Sequence, residues 1–462
     1  MNTETVLKNA LADEADSLGA IEDPWPGFAR RERGHQRRRR AKIAGVAVVV
    51  AALAGVQSGV VPLPAFVPGI AVTGGAGVLA EGPTRGSLAG DTAFLDGLRR
   101  EIKDLEDPGE TWRVTDRSKI KFVYAADVAS RRLVLALVPL RFGFLDDTAL
   151  VWYEGEPGAT PAEMTEGGRV DGGEPVVTFS TTRSDGPGVL VVVGPIGSTV
   201  TVSQGITYLP VGLVAFGTPQ AQAAGSGLAE MTLPPAPIPP VITVTVTSGA
   251  DVLYEGGAGG GWGGNSDTNP QEMSAAQIAE ALGTRTFDHA MLRSWVNSAI
   301  SDARLPAAGI KLTVRWLGTV NGQAAVLFTI QPPGGGVLAY AMHGSENSYR
   351  QDLRLLLPAA GADQRPIAWR MRAEGKDDRT DQVIAAAPPG ATRLELTDTG
   401  SAPRTLTLDA TGAAITSVAP HGQATIVAYA ADGTRLGSTR VPPFEPDSGG
   451  PPGADAKTRV VE

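Results

Sequence analysis

The sequence predicts a mostly β protein with some α: one transmembrane helix followed by two similar repeats, each an N-terminal helix plus an antiparallel β-sandwich-like unit. Three observations predict it. Ile43 to Val61 is an uncharged apolar stretch. Beyond it, short Val-, Thr- and Leu-rich runs alternate with Gly and Pro, the pattern of strands and turns. Finally, the same order of elements recurs at an offset of about 192 residues: Tyr124 aligns with Trp316, Val128 with Val320, and Leu135 with Leu327.

The apolar stretch IAGVAVVVAALAGVQSGVV is 19 residues long. As a helix it spans about 28 Å, close to the hydrocarbon thickness of a bilayer. Arg30, Arg31, Arg33, Arg37, Arg38, Arg39, Arg40 and Lys42 precede it, opposed by Glu32 alone, and no charge follows before Glu81. By the positive-inside rule the N-terminus is cytoplasmic and the C-terminal bulk extracytoplasmic, in a single-pass protein of the cell membrane. The lipid bilayer is then a partner, with anionic headgroups facing the arginines. A cleaved signal peptide or a buried soluble helix is the alternative, but 42 residues precede the stretch and no convincing small-x-small cleavage site follows.

Composition narrows the function classes. The chain of 462 residues is long enough for several cores, and with 58 Gly and 35 Pro it has many turns. Aromatics reach only 5%, so the cores are expected to be aliphatic. With no cysteine there is no disulfide, thiolate zinc site or cysteine nucleophile. The net charge is -9, and the acid lies beyond the basic first 42 residues. An acidic bulk lacks the clustered cations that nucleic acid requires, so no nucleic-acid partner is expected.

Seven segments follow. Residues 1–42 are a cytoplasmic basic N-terminal segment, 43–61 the transmembrane helix, and 62–90 a flexible linker rich in Gly, Pro and Ala. Repeat 1 covers 91–256. Its helix begins at the capping residue Asp91, presents Phe94, Leu95, Leu98, Ile102 and Leu105 on one face, and stops at Pro108-Gly109. A hairpin through Ala129-Ser130 comes next. Residues 257–273 form a Gly-rich linker, and repeat 2 covers 274–441. There Ser274-x-x-Gln277 is a capping box, Met291, Leu292, Trp295, Val296 and Ile300 share a helix face, and Asn321-Gly322 is a tight hairpin turn. Residues 442–462 are expected to be a disordered tail.

No catalytic motif emerges, and neither cofactor nor metal is expected. The glycines around Gly257 and Gly259 lack the βαβ context of a dinucleotide loop. His35, His289, His343 and His421 are dispersed, in loops or at strand and helix ends. Asn265, Asp267 and Asn269 lack the distal glutamate of an EF-hand. Clusters at Asp146-Asp147 with Glu154 and Glu156, and at Asp377, Asp378 and Asp381, read as solvated turns. Trp152, Tyr153 and Tyr340 are the candidate ligand-facing aromatics, with strand packing as the bland reading, and Trp262 stands alone in the glycine run.

A short acidic then arginine-rich stretch, one span, and an Ala-, Gly- and Val-rich exterior resembles uncharacterised actinobacterial single-pass membrane proteins and the general plan of transmembrane anti-sigma factors. The resemblance rests on residues 1–61, lacks the His and paired Cys of zinc-type members, and transfers no functional residue. The leading expectation is a membrane-anchored extracytoplasmic binding or structural protein whose partner is an envelope protein or glycan. Two alternatives stay open: a regulator relaying an envelope signal to a cytoplasmic regulatory protein, and a cell-wall-acting enzyme with an unrecognised site.

Overall fold

The computed structural model describes residues 77–107, 110–142, 145–263, 270–371, 382–419, 422–443, 450–455 and 458–461. Helix α1 (Thr92–Glu101) starts where expected, its first turn capped by Asp91 accepting from the Phe94 amide at 3.0 Å. It ends sooner than its apolar spacing predicts, because Leu105 leaves the helix to open the first sheet. That sheet contains β1 (Leu105–Asp107), β2 (Glu110–Val114), β3 (Lys121–Val128), β4 (Arg131–Phe142), β5 (Leu145–Gly155) and β6 (Thr165–Asp171). The long β4 pairs with β5 along one side and with β2 and β3 along the other.

The chain then builds two more four-stranded sheets from β7 (Val177–Arg183), β8 (Gly188–Val193), β9 (Thr199–Gln204), β12 (Gln220–Ala221), β13 (Leu228–Leu233), β14 (Ile242–Ser248), β15 (Asp251–Gly257) and β16 (Gly261–Gly263), and between β9 and β12 a separate two-stranded hairpin, β10 (Ile206–Leu209) and β11 (Leu213–Phe216). Their orders are β13-β8-β7-β16 and β12-β9-β14-β15.

The second half begins with α2 (Ala275–Leu282) and α3 (His289–Asp302). Both arms of the Ser274/Gln277 capping box are made. A meander follows: β17 (Lys311–Val320), β18 (Gln323–Gln331), β19 (Val337–Gly344) and β20 (Tyr349–Leu357). Its first turn is Asn321-Gly322, both at positive φ, as a two-residue hairpin requires. Next come β21 (Ile367–Arg370), β22 (Gln382–Ala386), β23 (Ala391–Asp398), β24 (Arg404–Leu406), β25 (Ala413–Ser417), β26 (Ala424–Ala430) and β27 (Arg435–Arg440), in sheets β21-β22-β25 and β24-β23-β26-β27.

The expected layout of a helix on a two-sheet sandwich is corrected by these sheets. In the first half, α1 packs Phe94, Leu95 and Leu98 on Val134, Ala136 and Val138 of the first sheet. The opposite face, with Tyr124, Leu135 and Trp152, packs on Phe179, Val189 and Val191 of the second sheet. The second sheet turns Leu190 and Val192 to Val200, Val244 and Val246 of the third. Four layers result, because a strand such as β8, buried at all six positions, needs apolar cover on both faces. The second half stacks the same way: α2 and α3 on the β17–β20 meander, then the sheet containing β22, then that containing β26.

The membrane expectations are also corrected. Among the described residues no helix is long and apolar enough to cross a membrane, so the single-pass anchor and cell-membrane localisation have no support in the fold. The stretch 43–61 and the flanking Arg30, Arg31, Arg33, Arg37, Arg38, Arg39, Arg40 and Lys42 lie outside the described residues.

Segments read as linkers turn out to be packed. Within 77–90, Leu79 is buried, and the Arg85 guanidinium donates to the carbonyls of Gly194 (2.9 Å), Ser226 (3.2 Å) and Gly227 (3.3 Å). Arg85 thus ties this segment to the far end of the second sheet, and burial lowers its pKa. At the other end, Pro451, Pro452 and Gly453 are buried and Val460 enters the core between two sheets, so these residues are not a disordered tail.

Candidate functional site

Strand β7 ends in Ser180-Thr181-Thr182-Arg183, and the glycine run 256–263 returns alongside it. Hydroxyls of β7 face that run: Thr178 donates to the Ala258 carbonyl, Ser180 to Gly259 (2.7 Å) and Thr182 to Gly261 (3.4 Å). Strand β16 then pairs in parallel with β7, Trp262 opposite Thr182. What reads as a linker is therefore an edge strand closing the second sheet. Its composition follows from the approach distance. Gly260 has φ +147°, and a Cβ there would lie 2.0 Å from the Ser180 carbonyl oxygen, far inside contact distance.

Trp262 is half-buried and its position is held by an indole N–H donated to the Ala236 carbonyl at 3.0 Å. Ala236 is in turn tied by its amide to the Arg183 carbonyl (2.8 Å), and Ser184 to Gly263 (3.0 Å). Around this knot opens a groove of about 560 Å³, lined by Arg131, Thr181 to Asp185, and Gly261 to Gly263. Arg131 comes from the first sheet, just after the Ala129-Ser130 turn, so the groove lies where two sheets meet.

Its charges are paired in advance. Arg183 Nε donates to Asp185 Oδ1 at 3.2 Å, and Arg131 is 3.5 Å from Glu154. The Arg183 hydrogen bond, with its charge behind it, holds the Asp185 carboxyl below its ordinary pKa, so at neutral pH it accepts hydrogen bonds and is a poor base. Thr181, Thr182 and Ser184 add hydroxyls. Among the described residues no imidazole lines the groove, so its hydroxyls find no base there suited to activating a nucleophile. Among the described residues no group of three or more His, Asp or Glu is placed to hold a metal ion.

The aromatics singled out from sequence pack between layers. Trp152 lies between Tyr124 and Phe179, with ring centroids at 6.0 and 5.3 Å. Tyr153 faces the helix side of the same sheet, and its buried hydroxyl has no hydrogen-bond partner among the described residues. Tyr153→Phe is therefore expected to leave stability unchanged or slightly raised, since it removes only an unsatisfied polar atom; a urea midpoint that falls clearly would contradict this. Tyr340 stacks on Phe328 at 5.8 Å, under α3.

The histidines and carboxylates divide similarly. His289 is exposed at the start of α3. His343 lies at the end of β19, where it is buried against Asp352, Nδ1 to Oδ2 2.6 Å. His35, His421, Asn265, Asp267, Asn269, Asp377, Asp378 and Asp381 fall outside the described residues.

A second polar cluster sits at the end of α3, where Asp302 accepts from the Tyr340 hydroxyl (3.0 Å) and from Arg354 (3.1 Å). Burial raises the Asp302 pKa, against the Arg354 charge and the Tyr340 hydrogen bond, which lower it. A carboxyl with a raised folded pKa holds its proton more tightly folded than unfolded. Its contribution to stability is thus present in acid and lost as pH rises from the unfolded value, about 3.9, through the folded one. Asp302→Asn should abolish that loss, so the variant gains on the native protein across this window in urea titrations at stepped pH. A constant difference between the two would refute the assignment.

Comparison with protein-family models and with curated proteins finds no match for the chain. The site must be read from its own geometry.

Arg131 and Arg183 were not visible as a pair in the sequence, 52 residues apart and on different sheets. Trp262 carried the one available signal: a large aromatic in a run otherwise of Gly and Ala has to be there for its ring.

Proposed function

We propose that the protein is a non-catalytic binding protein, with the groove at Trp262 as its binding site for a polar organic ligand. The observation that carries this reading is the clamped indole. Trp262 is hydrogen-bonded into place beside two guanidinium groups, in a concavity of the size that small-molecule sites occupy. Pre-organisation of this kind reduces the entropy lost on binding. The groove's chemistry supports binding over turnover: it offers donors, acceptors and one aromatic face, without a base matched to a nucleophile.

A thermal-shift screen of small polar organic compounds against the native protein and Trp262→Ala tests it. At least one compound should raise the native Tm, and the variant should bind that compound about tenfold or more weakly, a loss of about 1.4 kcal/mol. The pairing of β16 with β7 uses backbone groups of Gly261 to Gly263, so the unliganded variant should remain folded by circular dichroism. Compounds that shift both proteins equally would place binding elsewhere and defeat the proposal.

A further inference from the structure

We infer that the ligand of this groove is a carbohydrate, held by vicinal hydroxyls on the arginine and carboxylate pairs with one sugar face against Trp262. The inference rests on the groove being the binding site.

The first reason is charge. Both guanidinium groups that line the groove have carboxylate partners, Arg183 with Asp185 and Arg131 with Glu154. A bare anion entering here meets the Asp185 carboxylate in the lining and two guanidinium groups that are already paired, so it must displace an existing pair to gain a new one. A ligand of hydroxyls has no such conflict. Each hydroxyl donates one hydrogen bond and accepts others, so it can give to Asp185 while accepting from Arg183 without separating them. Thr181 and Ser184 extend the same mixed lining.

The second reason is the indole. Its N–H is already used by the Ala236 carbonyl, so what Trp262 offers a ligand is ring surface and no donor. A pyranose suits that surface because its axial C–H groups form an apolar face while its hydroxyls project from the rim. Amphipathic matching of this type is what an aromatic with one polar handle provides. A lipid or a purely aromatic ligand would cut the Arg183–Asp185 pair off from water without offering hydrogen bonds in return. Gly261 and Gly263, on either side of the ring, are exposed and carry no side chain, so the strand sets no side chain of its own beside the indole face.

The test is isothermal titration of the full chain with cello-, xylo-, malto- and chito-oligosaccharides, beside citrate and inorganic phosphate as anionic probes. At least one oligosaccharide should bind. Trp262→Ala and Asp185→Asn should each weaken it about tenfold or more, and Trp262→Phe, which keeps a ring, should weaken it less. Binding of citrate or phosphate alone would overturn the carbohydrate assignment while leaving the groove as a binding site. Binding of a sugar that is unaffected by Trp262→Ala would overturn both. No binding by any of these sugars overturns the carbohydrate assignment, and the thermal-shift screen then judges the groove by itself.

Discussion

Gly260→Val is expected to destabilise the protein by about 3 kcal/mol or more, because a disallowed backbone conformation and a backbone clash coincide. At φ +147° a branched side chain is strained whatever the space around it, and here its Cβ would also meet the Ser180 carbonyl oxygen at 2.0 Å and the Ser180 hydroxyl at 2.3 Å. The strand cannot move away without giving up the hydroxyl bonds from Thr178, Ser180 and Thr182. Urea unfolding of the variant should show the lowered midpoint. Gly261→Ala is the control: nothing lies within 4 Å of a Cβ there and φ is ordinary, so its midpoint should stay close to the native one. Equal losses at 260 and 261 would mean that the glycine run is merely floppy and that its close approach to β7 is not what requires it. Ligand binding should fall with Gly260→Val as well, since Trp262 is positioned two residues further on.

Tyr208→Ala should cost about 3 to 5 kcal/mol, the range for deleting a fully buried aromatic. Tyr208 belongs to the hairpin β10–β11 of the first half, yet its ring is buried in the core under α3 of the second. Its hydroxyl donates to the Ala303 carbonyl at 2.9 Å, and backbone bonds from Gly336 to its carbonyl (3.0 Å) and from Ala359 to that of Pro210 (2.8 Å) flank it. The hairpin is a clasp, so its loss should also split unfolding into two steps as the halves uncouple. Tyr208→Phe should retain the packing and lose about 1 kcal/mol for the hydrogen bond, in contrast to Tyr153→Phe. A single transition with an unchanged midpoint in Tyr208→Ala would show that the halves are joined by other contacts.

Local elements were legible where one residue type decides the backbone. Asp91, Ser274 with Gln277, and Asn321-Gly322 each satisfy or bend a specific backbone group, and each appears where its chemistry places it. The spacing of Leu292, Trp295, Val296 and Ile300 likewise names a buried helix face. The layer count also has a sign in the sequence. Val189 to Val193 is continuously apolar, which marks a strand covered on both faces, whereas the alternating Thr-Val run at 243–246 marks one covered on a single face. Reading all strands as the second kind yields two sheets per half instead of three.

By itself the sequence determined the β-rich class, the helix starts, the tight turns and the cysteine-free aliphatic cores, because these depend on short-range sterics and on composition. Only the tertiary structure decided that a glycine run is an edge strand, that Tyr208 crosses into the other half's core, and that Arg131, Arg183 and Trp262 share a groove. Each of these is a juxtaposition of residues far apart in the chain, set by which sheet faces must be covered. No local pattern encodes that.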